Sequence, residues 1–250
     1  MIHRDDLTNY RIMSNNKAST PFNIIMTSDG SPTLSLNGGE KMHSMSGALS
    51  ESLYIYGSCA EKASQLSQPR ILSMGLGLAY NELISLCLFR NVQVLDFKIS
   101  SFEKEAFLTE SFVKWTQGED SPLGICYEKI IEMLSEHFLI SPQEIKELCQ
   151  ESIESKMWVF SGPLTKENTQ GFLFNGVFYD AFSSETDKEL WKENHLSEFV
   201  DNYCDKTDCY FSTYAATGNL KRALKEKGFL LEKKAGFGFK RDSTFATRVP

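Results

Sequence analysis

The chain of 250 residues is poor in the groupings that build metal centres and disulfide frameworks. Its six cysteines (Cys59, Cys87, Cys126, Cys149, Cys204 and Cys209) form no CxxC or CxxxC pair. None of its four histidines (His3, His43, His137 and His195) lies near a cysteine or in an HxxxH pair. A structural zinc site needs four such ligands at close spacing, so no metal is expected. Scattered thiols in a chain this long are those of a reduced protein, which predicts a cytoplasmic location. Long apolar runs are missing too. Residues 76–95 are interrupted by Asn81, Glu82, Arg90 and Asn91 and are too polar to span a bilayer, so no membrane contact is expected. The opening MIHRDDLTNYRIMSNNK lacks the apolar centre of a secretory signal. Positive charge is the minority sign: 26 Lys and Arg stand against 33 Asp and Glu, for a net charge of −7. A protein that grips nucleic acid over its whole surface carries the opposite balance.

What is present is a globular composition, 41% hydrophobic and 24% charged, in enough chain to bury a large core. Apolar runs at Phe22–Met26 and Thr33–Leu36 flank Ser-Asp-Gly-Ser-Pro at 28–32, which predicts a β-hairpin. A helix is predicted from about Ser44 to Leu66, with Leu49, Leu53 and Tyr56 on one face. The next unit is sharper. Ile71–Met74 reads as a strand, Gly75-Leu76-Gly77 as a turn, Ala79–Phe89 as a helix and the apolar run Val92–Phe97 as a second strand. Strand, glycine turn, helix and strand in so few residues make a βαβ unit, which forces parallel pairing and an α/β sheet.

Residues 102–156 read as helical, with Ser141 capping a helix that begins at Pro142. This is too long for a simple crossover and predicts a small helical insert at about 124–156. Strands are predicted at Met157–Phe160, Val177–Tyr179 and Tyr210–Tyr214, and helices at Glu185–Tyr203 and Asn219–Lys227. The strands Phe229–Lys233 and Thr244–Arg248 close the chain as an antiparallel edge. The expected division is an N-terminal hairpin and helix extension over 1–68, then one α/β domain over 69–250.

Four features carry chemistry. The turn at Gly75 and Gly77 lets backbone approach a ligand just before a helix N-terminus, although Tyr80 stands where a dinucleotide motif has its third glycine. A tight turn without a ligand accounts for the same two glycines. Glu103, past the second strand, is an acid that accepts both hydrogen bonds of a ribose diol; alternatively it is a helix N-terminal charge. Asp180 follows the apolar strand Val177-Phe178-Tyr179, at the end where open α/β sheets bind ligands; its other reading is a helix cap. Finally, residues 219–248 hold nine basic and three acidic side chains, so this segment carries +6 and the rest of the chain −13. Such asymmetry allows a local anion-binding face on an acidic protein.

Five segments in order, MHSMSGALSES at 42–52, GLGLAYNEL at 75–83, SFEKEAF at 101–107, VFYDAFSSETDKELW at 177–191 and FSTYAATGNLKRALKEKGFLLEKKAGFGFKR at 211–241, resemble the methyltransferase family typified by the methyltransferase half of MnmC, the bifunctional enzyme of tRNA wobble-uridine modification. The resemblance implies a class I S-adenosylmethionine-dependent methyltransferase fold, a Rossmann-like, largely parallel seven-stranded α/β sheet. It implies methyl transfer to the exocyclic amine of 5-aminomethyluridine in tRNA, without the flavin chemistry of the fused half. By position, Gly75, Gly77 and Asn81 would shape the S-adenosylmethionine site and Glu103 would hold its ribose. Asp180 would orient the attacking amine, Phe182 would wall the substrate pocket, and Lys240 and Arg241 would lie at the rim. The sequence departs from the family at Ser73, where an acid is usual, at Ala79, where a third glycine is usual, and at Ser161-Gly162, where Gly-Asp is usual. The loop SSETDKELW also lacks the usual prolines. Two further readings stay open: methylation of a small amine, and a methyltransferase-like binding module without catalysis.

Overall fold

The structure, a computed structural model, describes residues 22–36, 39–169, 171–183, 185–238 and 242–249. Strands β1 (Phe22–Met26) and β2 (Pro32–Leu36) pair antiparallel as the predicted hairpin. Helix α1 (Ala48–Ser52) runs through a π-helical turn (Leu53–Gly57) into α2 (Ser58–Ala63). The hairpin turn supplies the N-terminal cap of α1. Ser31 Oγ accepts from the Ala48 and Leu49 amides at 3.0 Å each, and Asp29 Oδ2 accepts from the Ser50 amide at 3.1 Å. These amides have no partner within a helix, so side chains of another element satisfy them. Burial works against ionisation of Asp29, but hydroxyls from Ser31, Ser50 and Thr27 outweigh it and hold the carboxyl below its usual range.

The main sheet follows: β3 (Arg70–Met74), α3 (Tyr80–Asn91), β4 (Lys98–Phe102), α4 (Ala106–Thr116), α5 (Gly124–Phe138), α6 (Pro142–Glu154), β5 (Trp158–Ser161), α7 (Lys166–Thr169), β6 (Gly176–Tyr179), α8 (Glu193–Tyr203), β7 (Cys209–Thr213), α9 (Gly218–Glu226), β8 (Leu230–Glu232) and β9 (Thr244–Arg248). The seven strands lie in the order β5-β4-β3-β6-β7-β9-β8, all parallel except β9, which runs antiparallel between β7 and β8. Alternate residues feed two cores, as a strand period of two requires. Ile71, Ile99, Phe178 and Phe245 join the core under α3, α5 and α6 that also takes in Phe22, Ile24 and Leu34 of the hairpin. Leu72, Val177, Tyr179, Phe211 and Ala246 face the core under α8 and α9.

Three expectations are corrected. The second parallel strand is Lys98–Phe102 rather than Val92–Phe97. Gln93 turns the chain at φ 60° after α3, and Val92 and Leu95 lie 47% and 86% exposed. The true strand is masked by a buried serine on each face, Ser100 and Ser101; Ser101 donates to the buried Glu82 (2.7 Å) and accepts from the Trp158 indole (2.9 Å). The helix expected from Glu185 begins at Glu193, after a short 3-10 turn at Glu189–Trp191. Extended backbone at Lys192 breaks it, and the Trp191 indole is turned back to donate to the Phe182 carbonyl at 2.8 Å. The helix expected over 44–66 is shorter, spanning 48–63, and carries the π turn.

Candidate active site

The strand order reverses between β3 and β6, which opens a crevice at their carboxyl ends. Gly75 leaves β3 at φ +95°, and a Cβ there would stand 2.6 Å from the Asp180 carbonyl oxygen. Only glycine lets the two chains pass this closely. Ala79, at the position of the family's third glycine, keeps the left-handed backbone with φ 61°, so that departure leaves the turn intact. The turn is pinned from β4: Glu103 Oε2 accepts from the amides of Leu76 (3.0 Å) and Gly77 (3.2 Å), and Oε1 from the amide of Glu105 (2.9 Å). Burial pushes the Glu103 carboxyl up from its usual range, against the pull of these amides.

Asp180 ends β6 with both carboxylate oxygens engaged. Oδ1 accepts from the Tyr56 hydroxyl at 2.6 Å and Oδ2 from the Asn81 amide nitrogen at 2.9 Å. The backbone behind it is held group by group. The Tyr214 hydroxyl donates to the Ala181 carbonyl (2.9 Å), the Trp191 indole to the Phe182 carbonyl, and the Ser183 amide to Glu40 Oε1 (3.1 Å). Thr186 donates to the other oxygen of Glu40, which clasps the segment before α1 to the loop after β6.

These residues line a cavity of about 550 Å³ that holds Gly75, Gly77, Asn81, Glu103, Asp180 and Phe182 together. Its remaining walls come from residues 40–44, from Pro163, Leu164 and Lys166, and from the α8 face of His195, Glu198, Phe199, Asn202 and Tyr203. Carboxylates predominate over ammonium groups in the wall: Glu40, Glu103, Asp180, Asp187 and Glu198 against Lys41, Lys104 and Lys166. Asn81 Oδ1 is buried with no hydrogen-bond partner among the described residues, an acceptor left over in the wall.

Lys240 and Arg241 lie outside the described residues. Gly238, just before them, packs with its Cβ position 3.1 Å from Ser46 Oγ and 3.8 Å from Ser44 Oγ, and Ser44 lines the cavity. The basic segment is largely engaged within the protein. Arg222 pairs with Glu193 (2.7 Å), Lys221 with Asp242 (3.7 Å) and Lys227 with Asp201. Lys234 lies over the rings of Tyr54 and Phe245, and Arg248 donates to the carbonyls of Asp205 and Lys227. Of the seven described basic residues in that segment, five are thus occupied, which removes most of the anion-binding face that composition alone suggests.

Sequence reasoning passes over Tyr56, Tyr214, Trp191 and Glu40. Helical spacing accounts for Tyr56 as core, and nothing local marks its hydroxyl. Among the described residues no cluster of His, Cys, Asp and Glu suits a metal, and no helix is long and apolar enough to cross a membrane. The six cysteines are unpaired and buried.

Strand order, reversed βα crevice and a carboxylate-pinned glycine turn together define a class I S-adenosylmethionine-dependent methyltransferase fold. A family profile described as S-adenosyl-L-methionine-dependent methyltransferase matches residues 126–249, and the chain resembles the MnmC-type methyltransferases. The crystal structure of MNMC2 from Aquifex aeolicus superposes with a TM-score of 0.67 at 27% identity, over 94% of this chain and 73% of that one. An uncharacterized protein of Methanocaldococcus jannaschii is 29% identical over 234 residues, 91% of this chain; the chain spans 60% of that relative's length. The tRNA 5-methylaminomethyl-2-thiouridine biosynthesis bifunctional protein MnmC of Hahella chejuensis is 39% identical over 73 residues, 29% of this chain and 11% of its own.

The residues present suit S-adenosylmethionine. The positive-φ turn at Gly75 and Gly77 leaves no side chain between backbone and cavity, Glu103 is an acceptor for a diol, and the orphan oxygen of Asn81 is an acceptor for an ammonium or amide.

Proposed function

We propose that the protein methylates a primary amine, and that the amine is the aminomethyl group of 5-aminomethyluridine at the wobble position of tRNA. The observation that carries the chemistry is Asp180, a carboxylate at the β3/β6 crevice held by Tyr56 and Asn81. S-adenosylmethionine supplies, when bound, a methyl carbon made electrophilic by its sulfonium. In this reading Glu103 holds the ribose hydroxyls, while Gly75 and Gly77 let the backbone approach the methionine part. Asp180 accepts an N–H of the amine, aims its lone pair and receives the proton the amine gives up. Holding reacting atoms about 3–3.5 Å apart supplies much of the acceleration in such a displacement. Phe182 walls the substrate side.

The tRNA assignment draws on the names of the MnmC relatives and on the family. A small-amine substrate is favoured by one observation, the internal pairing of most of the C-terminal basic residues. Labelled methyl incorporation into tRNA bearing 5-aminomethyluridine, measured from low to high salt, decides between them. A tRNA enzyme loses binding steeply as salt rises and a small-amine enzyme hardly at all. Micromolar binding of S-adenosylmethionine by calorimetry is the companion expectation; its absence would sink both.

A further inference from the structure

We propose that Tyr56 is the positioning residue of the site, and that the π turn of the helix over 48–63 is the device that aims its hydroxyl at Asp180. The inference rests on the amine-methylation reading for its purpose, but not for its geometry.

Tyr56 is 2% exposed, its ring 5.6 Å from that of Phe178, so its hydroxyl has no access to bulk water and one strong acceptor, Asp180 Oδ1. Burial, with the Asp180 charge second, pushes the phenol well above its ordinary range, so at any working pH it is a donor. A half-buried carboxylate is held in its ionised form by such donors. Among the described residues, ionisable groups that interact with this pair include Tyr214 after β7, Glu82 on α3 and Glu51 on α1. None of the three is a base, so none adds positive charge beside Asp180. Tyr56 and Asn81 hold it from two directions and fix the rotation of the carboxyl plane in the cavity wall.

The π turn is the second, independent observation. Leu53–Gly57 is the only π-helical segment among the described residues. Such turns are uncommon, carry one extra residue per turn and concentrate at functional sites. This one sends its two tyrosines to separate loops: Tyr54 donates to the Ala235 carbonyl (2.8 Å) and Tyr56 to Asp180.

The test compares wild-type protein with Tyr56→Phe and with a difluorotyrosine at position 56. The Asp180 carboxyl is titrated by carbon NMR and assigned by its loss in Asp180→Asn. Phenylalanine removes a donor to the charged form, so the Asp180 midpoint should rise by about one pH unit. Fluorination makes the phenol a better donor in the same shape and should lower the midpoint. In turnover, Tyr56→Phe should reduce kcat tenfold or more, move the acid limb upward and leave S-adenosylmethionine binding unchanged. Equal Asp180 midpoints in all three proteins would overturn the role of Tyr56. A wild-type protein that methylates no amine, with the midpoints shifted as expected, would overturn the methylation reading alone.

Discussion

The hydroxyl of Tyr56 stands 2.6 Å from Oδ1 of Asp180, a bond between positions 124 residues apart in the chain. Through it the helix of the N-terminal segment reaches the end of β6. Because the hairpin turn caps that same helix, the hairpin, the helix and the Asp180 carboxylate form one connected structure. Each link in it can be tested.

Asp180→Asn keeps the size of the side chain but leaves one acceptor oxygen for the two donors Tyr56 and Asn81. On the proposed mechanism it also removes the charge that attracts an amine N–H and the site that takes its proton. We expect kcat to fall at least a hundredfold while the S-adenosylmethionine dissociation constant changes less than threefold. Steady-state kinetics with calorimetry checks both numbers, and unchanged turnover would refute the role.

Glu103→Gln replaces an oxygen that accepts backbone amides with a group that donates. The turn at Leu76 and Gly77 loses an acceptor and a ribose diol loses its charged partner. S-adenosylmethionine binding should weaken tenfold or more, with kcat at saturation less affected. If affinity is retained, the ribose assignment is wrong.

Glu82 is fully buried, with Ser101 on one carboxyl oxygen and no partner among the described residues for the other. Burial pushes its pKa from 4.5 to about 7. The folded state therefore holds a proton that the unfolded state has already released. The resulting stability is complete below pH 4.5 and is lost as pH rises through about 7. Glu82→Gln carries no such titration. Its melting temperature should match wild type near pH 5 and exceed it at pH 8, by calorimetric or circular-dichroism melts. Curves that stay parallel would rule out a raised Glu82.

Asp29→Ala removes a carboxylate that receives the hydroxyls of Thr27, Ser31 and Ser50 and the Ser50 amide. A lost N-terminal cap costs about 1–2 kcal/mol. Gly47→Ala should act through the same cap, because a Cβ there would meet Asp29 Oδ2 at 2.3 Å. Denaturant melts of both variants should show reduced midpoints, with Asp29→Ala plus Gly47→Ala less than additive.

Much of the fold is legible along the chain. The hairpin at 22–36, the Gly75–Gly77 turn and the closing strand-helix-strand-strand run announce themselves by glycine placement and apolar period. The second strand of the main sheet does not, because Ser100 and Ser101 occupy buried positions where a period-based reading looks for Val or Ile. Ser101 is buried against Glu82 and Trp158, partners fixed only by tertiary contact. Asp180 is visible from the sequence since an acid at the end of an apolar strand stands out, whereas Glu103 is visible only as an acid past the second strand of a βαβ unit. Tyr56 is invisible, since in a helix a core tyrosine and a positioning tyrosine have the same spacing. The basic tail shows the opposite error: counting charges within the segment overlooks Glu193 and Asp201, which pair with Arg222 and Lys227 across the fold.

The serine at position 73 has a consequence for how this sequence can change. Ser73 pairs in register with Ser101 across β3 and β4, and Glu82 lies against both hydroxyls. The family acid is missing from the strand, yet a carboxyl stands in the same dry space, reached from α3. Restoring Glu at 73 alone would put two carboxyls there, and like charges in a buried site cannot both ionise. One of the two would have to stay protonated, so the effect of an acid at position 73 depends on what stands at position 82.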